Sequence, residues 1–171
     1  TGALQIPFEA YRLDNGLDMI EEVEPGIWYV NLDTAPMTSI RTHLDELASA
    51  RGVVFDLRGY PNNNHDVLRH LLASRDTTGD WMRVPLTIYP DRRDVEWRPS
   101  GWRLPTARPR IAGKVVFITD GRAISYAESF LGYVEHYRLG EIVGGHTAGA
   151  NGNVNPFVTP GGCRISWTGM K

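Results

Sequence analysis

The chain has 171 residues and a formal net charge of −2, with 42% hydrophobic and 22% charged residues, which is ordinary for one globular domain. The chain has no excess of basic residues of the kind that indicates nucleic-acid binding. No apolar stretch approaches the roughly 20 residues of a membrane span. The single cysteine, Cys163, excludes an internal disulfide framework and a multi-cysteine zinc site. We therefore expect no nucleic-acid partner, no membrane span, no metal and no cofactor.

Residues 1–25 are predicted to form a polar, solvated lead-in, which contains a small acidic run and ends at Pro25-Gly26. The main domain is predicted over 26–171. The chain starts at Thr1 rather than Met, and it stops just after a predicted strand. It therefore has the character of an excised piece, and a continuation of the domain beyond Lys171 stays open.

Apolar, β-branched runs predict strands at 27–32, 53–57, 114–119 and 141–143. Apolar residues at helical spacing predict helices at 38–50 (capped by Thr38), 66–74 and 125–138. A hairpin is predicted over 157–167 with its turn at Pro160-Gly161. Strands that alternate with helices indicate an α/β fold with a largely parallel sheet and flanking helices.

The segment 75–110 has a different character. A strand is predicted at 84–89, followed by an Arg- and Pro-rich stretch that carries Trp97 and Trp102. A loop of this length is often a lid or a binding loop. The alternatives are an arm packed on its own domain or on a second subunit, so this arm is our candidate for homo-oligomer contacts.

Three loops follow the carboxyl ends of the predicted parallel strands, where sites form in such sheets. We call them the first loop (58–64), the second loop (120–124) and the third loop (144–155). Asp56 and Arg58, two apart at a strand end, are expected to pin neighbouring loops through a charge-assisted pair. The Gly-rich part of the third loop matches neither a P-loop nor a dinucleotide fingerprint.

Ser125 lies where a strand, a turn and a helix are predicted to meet. A hydroxyl at a helix N-terminus is placed well for a nucleophile whose attack creates an oxyanion. Serine is also a favoured N-cap, so capping explains the same residue. The Gly-x-Ser-x-Gly sequence of a nucleophile elbow is absent around it.

Three segments together resemble the C-terminal processing (tail-specific) serine peptidases: VVFDLRGYPNN, VVFITDGRAISYAES and EIVGGHTAGANGNVNPFVTPGGCRISWTGMK. They occur in the family's order, from about Gly26 to the end of the chain. The resemblance implies a ClpP/crotonase-like α/β core. It also implies a peptidase that hydrolyses unstructured polypeptides or C-terminal tails, so the expected partner is a polypeptide substrate.

Carried over by position, the family's nucleophile is Ser125, three residues before Glu128. The family's oxyanion hole falls on the backbone N–H of Tyr126 and on that of Asn62 or Asn63, where the family has glycines. The family's lysine position is Ala150 here, and the only lysines are Lys114 and Lys171. Lys114 lies at the far end of the strand before Ser125, about 17 Å away, and Lys171 is terminal, so a Ser–Lys dyad is not expected.

The resemblance to lysine-less relatives, such as the tricorn core peptidase, implies a histidine base. His65 directly follows the first loop and is the first candidate, because imidazole is a sound general base. His146, in the third loop, is the second candidate. An ordinary loop histidine is the alternative for both. Gly149 and Asn151 are predicted to contact substrate, and loop closure is the alternative for Asn151.

A non-catalytic ligand-binding or interaction domain of the same fold remains the rival function, because a missing lysine and missing glycines are what loss of catalysis would leave. An incomplete, inert domain is the third option. The family often carries a PDZ module, for which this chain has no room. The resemblance also favours a periplasmic or secreted protein over a cytoplasmic one.

Overall fold

The computed structural model describes residues 16–74, 79–85, 96–152, 154–168 and 170. In chain order the strands and α-helices are β1 (Ile20–Glu24), β2 (Ile27–Asn31), α1 (Met37–Thr42), α2 (Leu44–Ser49), β3 (Gly52–Asp56), β4 (Met82–Pro85), β5 (Trp97–Ser100), β6 (Lys114–Thr119), α3 (Tyr126–Tyr137), β7 (Glu141–Gly144), β8 (Val154–Val158) and β9 (Arg164–Thr168). A 3₁₀ helix spans His65–His70.

The central sheet has five strands in the order β1-β2-β3-β6-β7. β1 is antiparallel to β2, and the three other pairings are parallel. The central strands β3 and β6 are rich in valine and phenylalanine because helices and loops cover both their faces. Phe117 stacks on Phe55 with 5.2 Å between ring centroids and also meets Phe130 of α3. The predicted α/β fold with a largely parallel sheet and flanking helices is confirmed.

Strand β1, Ile20–Glu24, lies inside the segment predicted to be a polar, solvated lead-in; its last three residues are exposed, but the strand itself was not predicted. The turn at Pro25-Gly26 folds this strand back antiparallel onto β2. The glutamates of β1 give it no apolar pattern that would predict a strand. Charged side chains are nevertheless typical of a strand at a sheet edge, where they discourage pairing with another strand.

The helix predicted at 38–50 is two short helices, α1 and α2, separated at His43. Thr42 Oγ1 donates to the Ser39 carbonyl, and His43 Nδ1 lies 2.9 Å from the same oxygen. Side chains that compete for a backbone carbonyl weaken helices. Thr38 is not the cap, because α1 starts at Met37. The helix predicted at 66–74 is the shorter 3₁₀ helix.

Within the arm, β4 and β5 pair antiparallel as a separate two-stranded sheet. Trp81 and Trp102 pack against the core, and Trp81 Nε1 donates to the Trp102 carbonyl at 3.1 Å. The described part of the arm is therefore packed on its own domain. The predicted strand at 84–89 is observed only as far as Pro85, and 86–90 lie outside the described residues.

The predicted carboxy-terminal hairpin is confirmed as β8 and β9. Nowhere in the described ranges does a helix have the length and apolar character to cross a bilayer.

Candidate active site

Ser125 occupies a strained backbone position between β6 and α3. It is the N-cap of α3, but its φ of 55° and ψ of −106° lie outside the regions that L-residues commonly adopt. An ordinary N-cap has β-region angles, so capping alone does not require this conformation. Strain of this kind costs about 1–3 kcal/mol and clusters at functional sites. The chain thus makes a sharp strand-to-helix turn at Ser125, similar to the turn of a nucleophile elbow, without the Gly-x-Ser-x-Gly sequence.

The Glu128 carboxylate ties the third loop to Ser125. It accepts the backbone N–H of Ser125 at 3.0 Å, that of Gly149 at 2.7 Å and that of Ala150 at 3.1 Å. The N–H groups of Ser125 and Ala150 share one oxygen, Oε2. The structure therefore places Ala150, at the predicted position of the family's lysine, beside the candidate nucleophile, where its side chain is only a methyl group.

A second contact closes the same loop. The Asn151 amide donates to Ser129 Oγ at 3.1 Å, and Ser129 is buried on α3. The Ala148 N–H donates to the Ala123 carbonyl at 2.9 Å. The Asn151 side chain is thus engaged within the protein, and the Gly149 N–H is held by Glu128. This geometry favours loop closure for Asn151, and substrate contact by either residue stays a prediction.

Tyr126, next to the candidate nucleophile, contacts both the first loop and His65, which directly follows that loop. The Tyr126 hydroxyl oxygen accepts the backbone N–H of His65 at 3.1 Å and lies 2.7 Å from His65 Nδ1. The His65 ring stacks on Trp102 with 4.5 Å between centroids. Tyr60 also contacts the Tyr126 ring, at 5.8 Å between centroids. The side chains of Tyr126 and Trp102 were missed in the sequence, which carries no local signal for this long-range packing.

Burial shifts the pKa values of Tyr126 and His65. Burial raises the pKa of Tyr126 to about 12, so its hydroxyl is neutral at pH 7. Burial also lowers the pKa of His65 below 6.5, against a smaller opposing effect of Asp66. The imidazole is therefore largely neutral at pH 7, as a proton acceptor must be.

The tautomer of His65 depends on Tyr126. If the hydroxyl donates to Nδ1, the neutral ring carries its proton on Nε2 and cannot act as a base there. If the oxygen accepts from both the backbone N–H and Nδ1–H, the lone pair is on Nε2. In the described part of the chain no hydrogen bond joins Ser125 Oγ to His65 or to His146, and His146 is exposed.

The three predicted oxyanion donors differ in their present partners. The Tyr126 N–H lies at the N-terminus of α3 and has no acceptor among the described residues. The Asn62 N–H donates to the Leu32 carbonyl at 2.9 Å, and the Asn63 N–H donates to the Pro61 carbonyl at 3.0 Å. Asn63 has a φ of 49°, a left-handed conformation that asparagine tolerates better than most residues. One donor of the three is therefore available in this conformation.

Two aspartate–arginine ion pairs, each joining residues two positions apart in the sequence, lie at the carboxyl ends of β3 and β6. The predicted pair is confirmed, with Arg58 2.6 Å from Asp56, which also accepts the Tyr29 hydroxyl. Burial raises the pKa of Asp56, but the hydrogen bonds from Arg58 and Tyr29 outweigh it and leave that pKa below its usual value. A second Asp-x-Arg pair, Asp120 and Arg122 at 2.7 Å, fixes the second loop. The repeated Asp-x-Arg spacing is visible in the sequence and could have predicted this second pair.

The model of peptidase family S41 matches residues 26–171. The chain belongs to peptidase family S41. The predicted resemblance is thereby confirmed at the level of the family, and the lysine-less, tricorn-like branch stays a prediction. No curated protein matches the chain.

Solved structures with the S41 fold resemble the chain at low identity. A candidate peptidase from Parabacteroides merdae has a TM-score of 0.64 and 16% identity, over 88% of this chain and 50% of that one. Mature CPAF in complex with lactacystin has a TM-score of 0.54 and 13% identity, over 84% of this chain and 43% of that one. The photosystem II D1 C-terminal processing protease has a TM-score of 0.49 and 16% identity, over 83% of this chain and 36% of that one.

This chain spans half the length of the Parabacteroides merdae protein and less than half the length of CPAF. At such identities they support the fold alone. Membership of family S41 supports a peptidase function, and the roles of individual residues rest on the geometry described above.

Proposed function

We propose that this chain forms the core of a serine-type peptidase that hydrolyses unstructured polypeptides or C-terminal tails, with Ser125 as the nucleophile. The observation that carries the proposal is the strained backbone of Ser125 at the N-terminus of α3, with three loops gathered around it. A merely capping serine has no need of that strain.

In the proposed reaction Ser125 Oγ attacks the scissile carbonyl and loses its proton to a base, which later returns a proton to the leaving amine. The Tyr126 N–H and the positive end of α3 stabilise the oxyanion. The second donor is the Asn62 or Asn63 N–H, which has to turn away from its present carbonyl partner. Asn63 already has a positive φ, which makes its peptide the natural hinge.

His65 is the proposed base, acting through Nε2, and His146 is second. In this scheme Tyr126 orients the imidazole by accepting both the backbone N–H and Nδ1–H of His65. Tyr126 takes the orienting place of the aspartate in a Ser-His-Asp triad. Burial of His65 keeps the ring neutral and ready to accept a proton at pH 7.

Fluorophosphonate labelling followed by intact mass tests the nucleophile. We expect one label per chain, lost in Ser125→Ala and retained in the matched control Ser49→Ala, which alters an exposed serine on α2. His65→Ala should slow labelling more than His146→Ala. Labelling that survives Ser125→Ala, or a folded parent that takes no label, contradicts the proposal.

A non-catalytic binding domain is the second candidate, favoured by two observations. The methyl group of Ala150 stands where the family has its lysine, and the N–H groups of Asn62 and Asn63 are engaged with backbone carbonyls. Polypeptide binding without turnover, unchanged in Ser125→Ala, would establish this function in place of hydrolysis.

A further inference from the structure

Strand β7 has an unpaired outer edge. It pairs with β6 on one side, and no strand among the described residues pairs with its other side. The N–H of Gly145, one residue beyond β7, donates to the Thr119 carbonyl of β6 at 2.9 Å. Because the backbone groups of successive residues in a strand point to opposite edges, those of Ile142 and Gly144 point away from β6. In the described ranges no hydrogen bond reaches them, so they form a template for another extended chain.

The side chains of β7 are uncovered as well. All four residues of the strand are exposed, and Ile142 and Val143 are 40% and 43% exposed. Successive side chains point to opposite faces of a sheet, so an apolar group is uncovered on each face. At the other edge of the sheet, β1 carries three glutamates in five residues, which discourage pairing. β7 has one, Glu141, and is therefore the edge that accepts a further strand more readily.

An open groove of about 360 Å³, which we call the edge groove, lies between β7 and α3. Phe117 of β6 meets Phe130 of α3, so the face of the sheet that carries Phe117 is the one that α3 covers. Ile142 is opposite Phe117 in the register of the two strands and shares that face, and Thr119 shares it by alternation. A residue that pairs with Ile142 from outside would therefore place its side chain in the edge groove.

The edge groove is lined by carboxylates and by no arginine or lysine. Four of its residues lie on one face of α3, as their spacing requires: Glu128, Leu131, Gly132 and Glu135. Glu128 already accepts three N–H groups, but Glu135 forms no ion pair with any described residue. Glu135 also lies in the last turn of α3, where the partial negative charge of the helix carbonyls favours a cation nearby.

Thr119 gives a second, independent indication of a ligand. It is the last residue of β6, is only 5% exposed and lines the edge groove. Its Oγ1 is buried and has no hydrogen-bond partner in the described part of the chain. A buried hydroxyl without a partner costs free energy that a bound donor recovers. Hydroxyl and carboxylate oxygens both accept hydrogen bonds, so the groove matches an ammonium or a guanidinium group, which only donate.

We propose that the outer edge of β7 binds an extended polypeptide segment as an added strand. The residue of this segment opposite Ile142 is a lysine or an arginine, and its cation lies in the edge groove near Glu135 and Thr119. β7 leads directly into the third loop, which Glu128 ties to Ser125, so the segment lies beside the proposed active site. Its role as a substrate rests on the proposed function, whereas its binding does not require hydrolysis.

Fluorescence anisotropy with a labelled seven-residue peptide tests the proposal, on the parent chain and on Ser125→Ala. The peptide has capped ends and alternates threonine and valine around a central lysine. Replacing the lysine by glutamine should raise the Kd about two- to fivefold, as expected for an ion pair at the surface. Methylating two successive backbone nitrogens at the centre, one of which has to face β7, should raise the Kd at least tenfold.

Hydrogen exchange locates the bound peptide on the chain. The amide protons of Ile142 and Gly144 should gain protection when the lysine peptide binds. The amide proton of Val143 should change less, because its N–H already faces β6. Protection gained at Ile20–Glu24 instead would place the peptide at the other edge of the sheet and contradict the proposal.

Three variants separate the charge from the fold. Glu135→Gln keeps the shape of the side chain and should abolish the preference for lysine over glutamine. The matched control Glu141→Gln removes a carboxylate from β7 itself, on the face opposite to Ile142, and should keep that preference. Thr119→Val removes the unpartnered hydroxyl and should raise the Kd of the lysine peptide about twofold without lowering the free energy of unfolding.

The outcomes separate this proposal from the peptidase function. A lysine preference that Glu135→Gln abolishes and Glu141→Gln retains, with protection at Ile142, supports the proposal even if Ser125 takes no fluorophosphonate label. Equal binding of the lysine, glutamine and methylated peptides, or no binding by parent and Ser125→Ala alike, overturns it even if Ser125 is labelled. Protection of Ile142 that rises with protein concentration and needs no peptide would assign the edge to a second copy of this chain and overturn it as well.

Discussion

The first and third loops both reach Ser125, but they are held in different ways. The third loop is fixed through its backbone, because two of its N–H groups bind the Glu128 carboxylate. The first loop is held by hydrogen bonds to the segment after β2, among them those from the Asn62 N–H and the Asn64 side-chain amide to the Leu32 carbonyl, and by the contact of Tyr60 with Tyr126. Charge-assisted hydrogen bonds such as those to Glu128 are about twice as strong as neutral ones, and the N–H groups of Asn62 and Asn63 bind neutral carbonyls. The N–H groups of Asn62 and Asn63 are thus easier to release toward an oxyanion than the Gly149 and Ala150 N–H groups of the third loop.

Glu128→Ala should have the largest effect, because it breaks the backbone attachment of the third loop. Three N–H groups lose their acceptor, and we expect the free energy of unfolding to fall by about 2–3 kcal/mol. Labelling of Ser125 should fall with it. Urea unfolding and hydrogen exchange of Gly149 and Ala150 measure the change. The control Glu135→Ala removes an exposed carboxylate from the same helix, and an equal loss there would refute the special role of Glu128.

Tyr126→Phe tests the side-chain attachment of the first loop. The His65 N–H and Nδ1 lose a partly buried partner, so the free energy of unfolding should fall by about 1–2 kcal/mol. If Tyr126 orients the base, the labelling rate should fall about tenfold while Tyr60→Phe stays near the parent. A stability loss without any change in labelling rate would show that Tyr126 has only a structural role.

The pH dependence of stability sharpens the same comparison. The pKa of His65 is lower in the folded chain than its usual 6.5 because of burial, so the unfolded chain binds more protons as the pH falls. The stabilisation is complete above pH 6.5 and declines as the pH falls through the folded-state pKa. His65→Gln should flatten the difference in unfolding free energy between pH 7 and pH 5. A variant with the parent's slope would exclude His65 as its source.

Asn63→Gly should have the smallest effect on stability, within about 0.5 kcal/mol, because asparagine already tolerates the left-handed conformation. Glycine frees the peptide to turn its N–H away from Pro61, so we expect labelling of Ser125 to rise about two- to fivefold. Asn62→Gly is the matched control, since Asn62 lacks a positive φ and its side chain donates to the Thr34 carbonyl. An equal rise in both variants would argue against Asn63 as the hinge.

The parallel core is predictable from the sequence, because buried strands such as β3 and β6 are continuous apolar runs. The proximity of the three loops is predictable as well, since parallel strands end at one edge. Strand β1 is not, because its glutamates give no apolar pattern and suit an exposed edge strand. The break at His43 is not predictable either, because it depends on which side chain reaches the Ser39 carbonyl.

Within the candidate site, the position of Ser125 followed from strand, turn and helix signals together with the family resemblance. Its partners did not follow, because they join residues far apart in the chain. The Tyr126–His65 contact spans 61 positions, and Glu128 reaches residues 21 and 22 positions away. Side-chain packing in three dimensions fixes such contacts, and no local spacing encodes them.

The backbone conformation of Ser125 has a consequence for laboratory evolution. Glycine accepts a positive φ without the clash that a Cβ creates, so Ser125→Gly should make the fold more resistant to heat. A selection for thermal stability alone would favour that substitution and remove the hydroxyl in the same step. Any thermostable variant of this chain should therefore be sequenced at codon 125 before its loss of activity is ascribed to rigidity.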